Sequence, residues 1–110
     1  MRALILLLLP FAALADTVTL TWTAPTQRED ATALPATEIA GYRVEWWKDG
    51  TAQTGFVVPG AVTTYVHSNL TAGKYCYTLA TVDTDGLESV PTGQVCRKAR
   101  PNPPTNTRAR

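Results

Sequence analysis

Lys74-Tyr-Cys-Tyr-Thr-Leu-Ala-Thr-Val-Asp83, then Thr84-Asp-Gly86, then Val90-Pro-Thr-Gly-Gln-Val-Cys-Arg-Lys98: this stretch decides the fold. The first ten residues are rich in β-branched and aromatic side chains and read as a strand. Tyr75, Tyr77, Leu79 and Thr81 share one face. Asp85-Gly86 is a turn signal, and Val90 to Lys98 reads as the returning strand. Facing positions in an antiparallel pair have a constant sum. Cys76 and Cys96 sum to 172, whose midpoint is Gly86, so the turn sits where a Cys76–Cys96 pair requires it. Both cysteines then lie on the face opposite Tyr75, Tyr77 and Val95, close enough for a cross-strand disulfide. The alternatives are two free thiols or a redox pair. The sequence offers neither a Cys-x-x-Cys motif nor a helix start to acidify a thiolate.

The same alternation recurs on the N-terminal side. Asp16 to Thr23 places Val18, Leu20 and Trp22 on one face and four threonines on the other. Gly41 to Lys48 places Tyr42, Val44 and Trp46 against Arg43, Glu45 and Trp47. Asp49-Gly50 is a second turn signal, and short strands are expected at Thr54 to Val58 and Val62 to His67. Ala24 to Ala40 reads as a long loop. About six strands and no helix after the first fifteen residues predict an all-β, two-sheet antiparallel sandwich. The expected core is Val18, Leu20, Trp22, Tyr42, Val44, Trp46, Tyr65, Tyr75, Tyr77 and Leu79.

Composition narrows the function classes. The 110 residues carry ten Lys+Arg against nine Asp+Glu, which argues against nucleic-acid binding by the chain as a whole. Two cysteines and one histidine cannot complete a four-ligand zinc site from Cys and His alone. Residues 1–15 read as a signal peptide: Met1-Arg2, an apolar run from Ala3 to Ala12, then Ala13-Leu14-Ala15. The alternative is a buried N-terminal helix, against which the run lacks a helical period. The run is too short to span a bilayer, no other stretch is long enough, and no cysteine follows it to take a lipid. The expected domain is residues 16–98, secreted or periplasmic, followed by a basic, proline-rich and disordered tail over 99–110.

Several segments together resemble a fibronectin type III domain, in particular its bacterial and phage form. Val18-Thr-Leu-Thr-Trp-Thr-Ala-Pro-Thr26 resembles that family's second strand. Glu29-Asp30, Leu34-Pro35 and Ile39-Ala-Gly-Tyr-Arg-Val44 resemble the following loop and third strand. Val58-Pro-Gly60, Thr64-Tyr65 and Asn69-Leu70 resemble the fifth-strand region, and Val82-Asp83 through Ser89 the last hairpin. Leu70-Thr-Ala-Gly-Lys-Tyr75 is similar to the tyrosine corner, which implies that the Tyr75 hydroxyl bonds back to the backbone. The family's first strand has no counterpart here. The edge beside Thr17 to Thr23 is therefore expected either to recruit a strand from a partner or the tail, or to be protected by its threonines.

Candidates for chemistry are sparse. Asp83, Asp85 and Glu88 cluster at a turn but supply too few oxygens for a calcium loop. Glu29 and Asp30 are adjacent in a loop and form no held acid–base pair. His67 reads as a half-exposed filler. No catalytic residue, cofactor or metal site is expected. Binding candidates are Trp47, as an exposed ring or one covered by a loop, and Arg97, Lys98, Arg100, Arg108 and Arg110. Those five cations give +5 over residues 97–110, against −5 over residues 16–96. The basic stretch reads as a solubilising extension, a ligand for anionic surfaces, or a segment that folds onto its own acidic body. The function expected is a non-catalytic binding or structural module with a protein partner at a cell surface or virion. The alternative is a small carbohydrate-binding module built on Trp47.

Overall fold

Strand β6 (Lys74–Asp83) is hydrogen-bonded along both edges, to β2 (Ile39–Lys48) on one side and β7 (Val95–Lys98) on the other. Two short strands, β3 (Thr51–Ala52) and β4 (Phe56–Pro59), pair with successive parts of the free edge of β2. These five strands form one antiparallel sheet. The second sheet has two strands, β1 (Asp16–Thr21) and β5 (Thr64–Leu70). The computed structural model describes residues 16–98, 104–106, 108 and 109. The expected signal peptide at 1–15, and Arg100 and Arg110 of the tail, lie outside them.

The sheets close on the apolar faces that alternation marks. Val18, Leu20, Tyr42, Val44, Tyr75, Tyr77 and Leu79 are buried together, and Trp22, Trp46 and Tyr65 pack half-buried against them. Four further core residues, Leu34, Ile39, Val58 and Leu70, sit at strand ends or in the loop, where no alternation announces them. Trp22 meets Tyr42 edge to face at 5.2 Å. The Tyr75 hydroxyl donates to the Thr71 carbonyl at 2.9 Å and ties the β5–β6 corner to the core.

The turn signals have clear causes. Asp49 and Gly50 both adopt positive φ (51° and 83°) between paired Lys48 and Thr51, the geometry of a two-residue hairpin whose twist matches its strands. Gly41 cannot carry a side chain, because a Cβ there would lie 2.6 Å from the Val58 carbonyl oxygen of β4.

Four elements differ from the sequence reading. Strand β3, directly after Asp49-Gly50, has no counterpart in it. The loop before β2 holds one 3-10 turn at Ala36–Glu38. Strand β5 continues to Leu70, because Asp16 of β1 extends the pairing that far. The strand expected from Val90 is regular only from Val95. Cys76 faces Cys96 with a sum of 172, but Val82 faces Glu88 with a sum of 170. Two extra residues are absorbed in between, beside Pro91, which has no N–H to donate. Hydroxyls fill the gap: the Leu79 N–H donates to Thr92 Oγ1 at 3.1 Å and the Thr81 N–H to Ser89 Oγ at 3.0 Å. Val95, inward by parity, stays 55% exposed on this short edge strand.

Cys76 and Cys96 form a disulfide across β6 and β7. It links positions 20 residues apart and holds the irregular returning segment in place. Closing a loop of that length limits the unfolded chain by roughly 3 kcal/mol. Reduction, or paired Cys76→Ala and Cys96→Ala substitution, should lower unfolding free energy by about that amount. The denaturant midpoint should fall and the slope of the transition should rise, since the unfolded chain then exposes more surface.

Candidate functional site

Two surfaces stand out, an open strand edge and a cleft at one pole of the sandwich. The Trp22 N–H donates to the Thr63 carbonyl at 3.1 Å. Counting back by two, Leu20 and Val18 direct their backbone groups at β5. Thr19 and Thr21 therefore turn their N–H and C=O groups the other way. Among the described residues no strand occupies that side. The edge is closed only at its start, where Arg97 Nη1 donates to the Thr17 carbonyl at 3.1 Å and the Asp16 carboxylate accepts from the Thr17 N–H at 2.7 Å.

The cleft, of about 520 Å3, lies between the loop after β1 and the β6–β7 connection. Pro25, Arg28 and Leu34 form one wall; Thr81, Leu87 and Ser89 form the other. Arg28 joins the two sides. Its Nη1 donates to Asp83 and its Nη2 to Glu38, each at 2.8 Å. The hydrogen bond from Arg28 is the main reason the Asp83 carboxyl is held below the usual carboxylate range, with the Leu87 and Asp85 N–H groups adding to it. The same contacts, Asp83 first, raise the Arg28 guanidinium above its ordinary value.

The carboxylates around the turn do not converge on a metal. Asp83 Oδ1 accepts from the N–H groups of Asp85 and Leu87, Asp83 Oδ2 from Arg28, and Glu88 turns to Arg43 at 2.9 Å. Among the described residues, no group of three or more His, Cys, Asp or Glu is arranged to hold a metal ion. Glu29 is exposed at the cleft rim, and Asp30 accepts from the Thr32 N–H and hydroxyl, which lowers its pKa.

The remaining candidates are spread over the molecule. Trp46 points into the core and donates Nε1–H to the Thr54 carbonyl at 2.9 Å. Trp47 lies on the outer face of the larger sheet, half-buried, in register with Cys76 and Ala52. Arg97 and Lys98 belong to β7 rather than to a free tail, and Arg108 is exposed. His67 is half-buried in a ring cluster: its Nδ1 shares a 2.7 Å hydrogen bond with the Tyr77 hydroxyl, and Trp46 meets it edge to face at 4.5 Å. Sequence reading missed the Arg28–Asp83–Glu38 cluster, because its members lie 55 and 10 positions apart and only the sandwich brings them together.

Charge is distributed unevenly between the two poles. Six of the nine acidic residues, Glu29, Asp30, Glu38, Asp83, Asp85 and Glu88, surround the cleft with only Arg28 and Arg43 among them. Lys48, Lys74, Arg97 and Lys98 gather at the opposite pole, where β2 and β7 end and β6 begins, with Asp16 and Asp49 among them.

No protein-family model matches this chain, and no curated protein matches it. Among the described residues no helix is long and apolar enough to cross a membrane.

Burial lowers the pKa of His67 and, with Tyr75 and Tyr65 nearby, pushes Tyr77 up to about 12. A histidine with a depressed folded pKa contributes its full share of stability above its unfolded value of about 6.5. That share is lost as pH falls from there toward the folded value. Unfolding free energy should therefore begin to drop below about pH 6.5, before the carboxylates titrate. His67→Phe should remove that step and leave the lower, carboxylate-driven loss in place. Denaturant titrations across the acid range compare the two proteins.

Proposed function

We propose that the chain is a non-catalytic, exported binding module of the fibronectin type III type, acting at a bacterial envelope or as a phage-encoded accessory. It holds a protein partner by accepting a strand of that partner along the open edge of β1. The observation that carries this reading is the row of outward-facing N–H and C=O groups at Thr19 and Thr21 with no neighbouring strand among the described residues. Such an edge is a template for pairing, and main-chain hydrogen bonds supply the affinity.

Three features support the wider reading. The pairing of β1 with β5, and the placing of β6 between β2 and β7, follow the immunoglobulin-like plan in which the second strand pairs with the fifth and the sixth lies between the third and the seventh. The Tyr75-to-Thr71 bond has the form of a tyrosine corner. The disulfide suits an oxidising compartment outside the cytoplasm.

Thr19→Pro tests the edge. It deletes one outward N–H and none of the bonds to β5, so the fold should persist as proline persists on other edge strands. Partner captured from cell-surface material by the parent chain should be lost by the variant, and the Thr19 and Thr21 amides should be protected from exchange in the parent complex. Rapid exchange of those amides in the complex rules the edge out.

A second reading is favoured by Trp47, which makes no ring contact with any described aromatic side chain and presents part of its indole on the outer sheet face. A flat exposed ring of that kind stacks on a sugar. Trp47→Ala should then abolish retention on a glycan array with unfolding unchanged; retention by the variant removes this reading.

A further inference from the structure

We infer that the chain associates head to tail with copies of itself, the basic C-terminal segment of one copy lying in the acidic cleft of the next. This deepens the binding reading by naming one partner, and it uses a surface other than the β1 edge. Three observations carry it: the cleft, the separation of charge between the poles, and the place where the C-terminal segment leaves the sandwich.

The cleft has the chemistry of a site for an arginine-bearing, proline-containing strand. Its walls include Pro25, Leu34 and Leu87, and Leu87 is 65% exposed. Glu29 lines it and Asp85 lies in the adjoining turn; both residues are exposed and, among the described residues, make no ion pair. The segment from Ala99 to Arg110 has no acidic residue and contains Arg100, Arg108 and Arg110 with Pro101, Pro103 and Pro104. Proline-rich chain favours an extended path that lays apolar rings into a groove at little further entropic cost. The flanking guanidinium groups match the carboxylates at the rim.

Geometry favours a second copy over the same one. Strand β7 runs antiparallel to β6 and ends at Lys98, in register with Lys74, while the cleft lies at the Asp83 end of β6. The ten residues of β6 separate those poles by about 30 Å. The twelve residues from Ala99 to Arg110 span about 37 Å along a polyproline II path. To reach its own cleft the chain has to reverse at once and then run almost straight. To reach the cleft of a second copy it continues in the direction β7 already takes. Donor and acceptor surfaces at opposite poles make a heterologous contact, which adds copies in line and does not close at a dimer.

Sedimentation velocity tests this on the chain from Asp16 onward, which carries every described element. At an ionic strength of about 0.01 M the Debye length is about 30 Å, and at about 1 M it is about 3 Å. The mean mass should rise with concentration beyond a dimer at the lower value and fall to that of a monomer at the higher. A chain ending at Lys98 should stay monomeric and bind the peptide Ala99–Arg110. Glu29→Lys with Asp85→Lys should abolish assembly, and mixing that variant with a chain bearing Arg108→Glu and Arg110→Glu should restore association between the two. A monomer at the lower ionic strength overturns the inference. So does assembly that survives removal of residues 99–110, and so does peptide binding by the shortened chain when the whole chain stays monomeric, since the segment then occupies its own cleft. A monomeric chain that still captures a partner through Thr19 and Thr21 sinks this inference alone and leaves the binding reading standing.

Discussion

The double pairing of β6 is the constraint from which the rest of the domain is placed. A strand bonded on both edges has no freedom of register: its pairing with β2 covers Tyr75 to Asp83, and its pairing with β7 is pinned by the Cys76–Cys96 bond. That register puts Tyr75, Tyr77 and Leu79 on the inner face opposite Val18 and Leu20 of the smaller sheet. A slip of one residue would turn all three rings and chains outward, so the apolar pattern and the hydrogen-bond ladder enforce the same answer. On the outer face of β6, Cys76, Thr78 and Ala80 are buried as well.

The returning segment shows how the domain tolerates an imperfect strand next to such a rigid one. Two extra residues and Pro91 interrupt the ladder, yet the N–H groups of Leu79 and Thr81 still find acceptors in the hydroxyls of Thr92 and Ser89. Satisfying these half-buried donors avoids the cost of orphaned backbone groups. Leu87 to Ser89, still tied to β6 through the Val82–Glu88 bridge and the Thr81–Ser89 bonds, form one wall of the cleft. Arg28 then holds the opposite wall by bonding Asp83 at the end of β6 and Glu38 in the turn just before β2.

The two candidate surfaces arise from different causes. The open edge of β1 exists because the smaller sheet has only two described strands; at Thr17 it is closed by Arg97 from across the sandwich and by the Asp16 carboxylate. The charge separation exists because antiparallel strands collect their ends at two poles. Acidic residues in the 28–38 and 83–88 segments meet at one pole, while Lys48, Lys74 and Lys98 meet at the other. The sequence sets a basic C-terminal stretch against an acidic body, but only the fold gathers six of the acids around one cleft.

Much of the fold was legible from residues that act on near neighbours. Alternation marked the faces of β1, β2 and β6 because a half-buried strand must place apolar side chains at every second position. Asp49-Gly50 announced its hairpin because both residues must take positive φ. Cys76 and Cys96 announced their pairing through a constant-sum register, which holds at the cysteines although the ladder shifts by two residues nearer the turn. Leu34, in a proline-bounded loop, and Leu70, at a corner, join the core without any period to reveal them. The same holds for the Arg28 cluster, for the closure of the β1 edge by Arg97, and for the half-buried place of His67 among aromatic rings. The sequence by itself determined the strands, their inward faces and the covalent staple, because those follow from backbone period and turn sterics within about twenty residues. Only the tertiary structure decided the cleft, the open edge and the two charged poles, because each depends on which distant strand ends the packing of two sheets brings side by side.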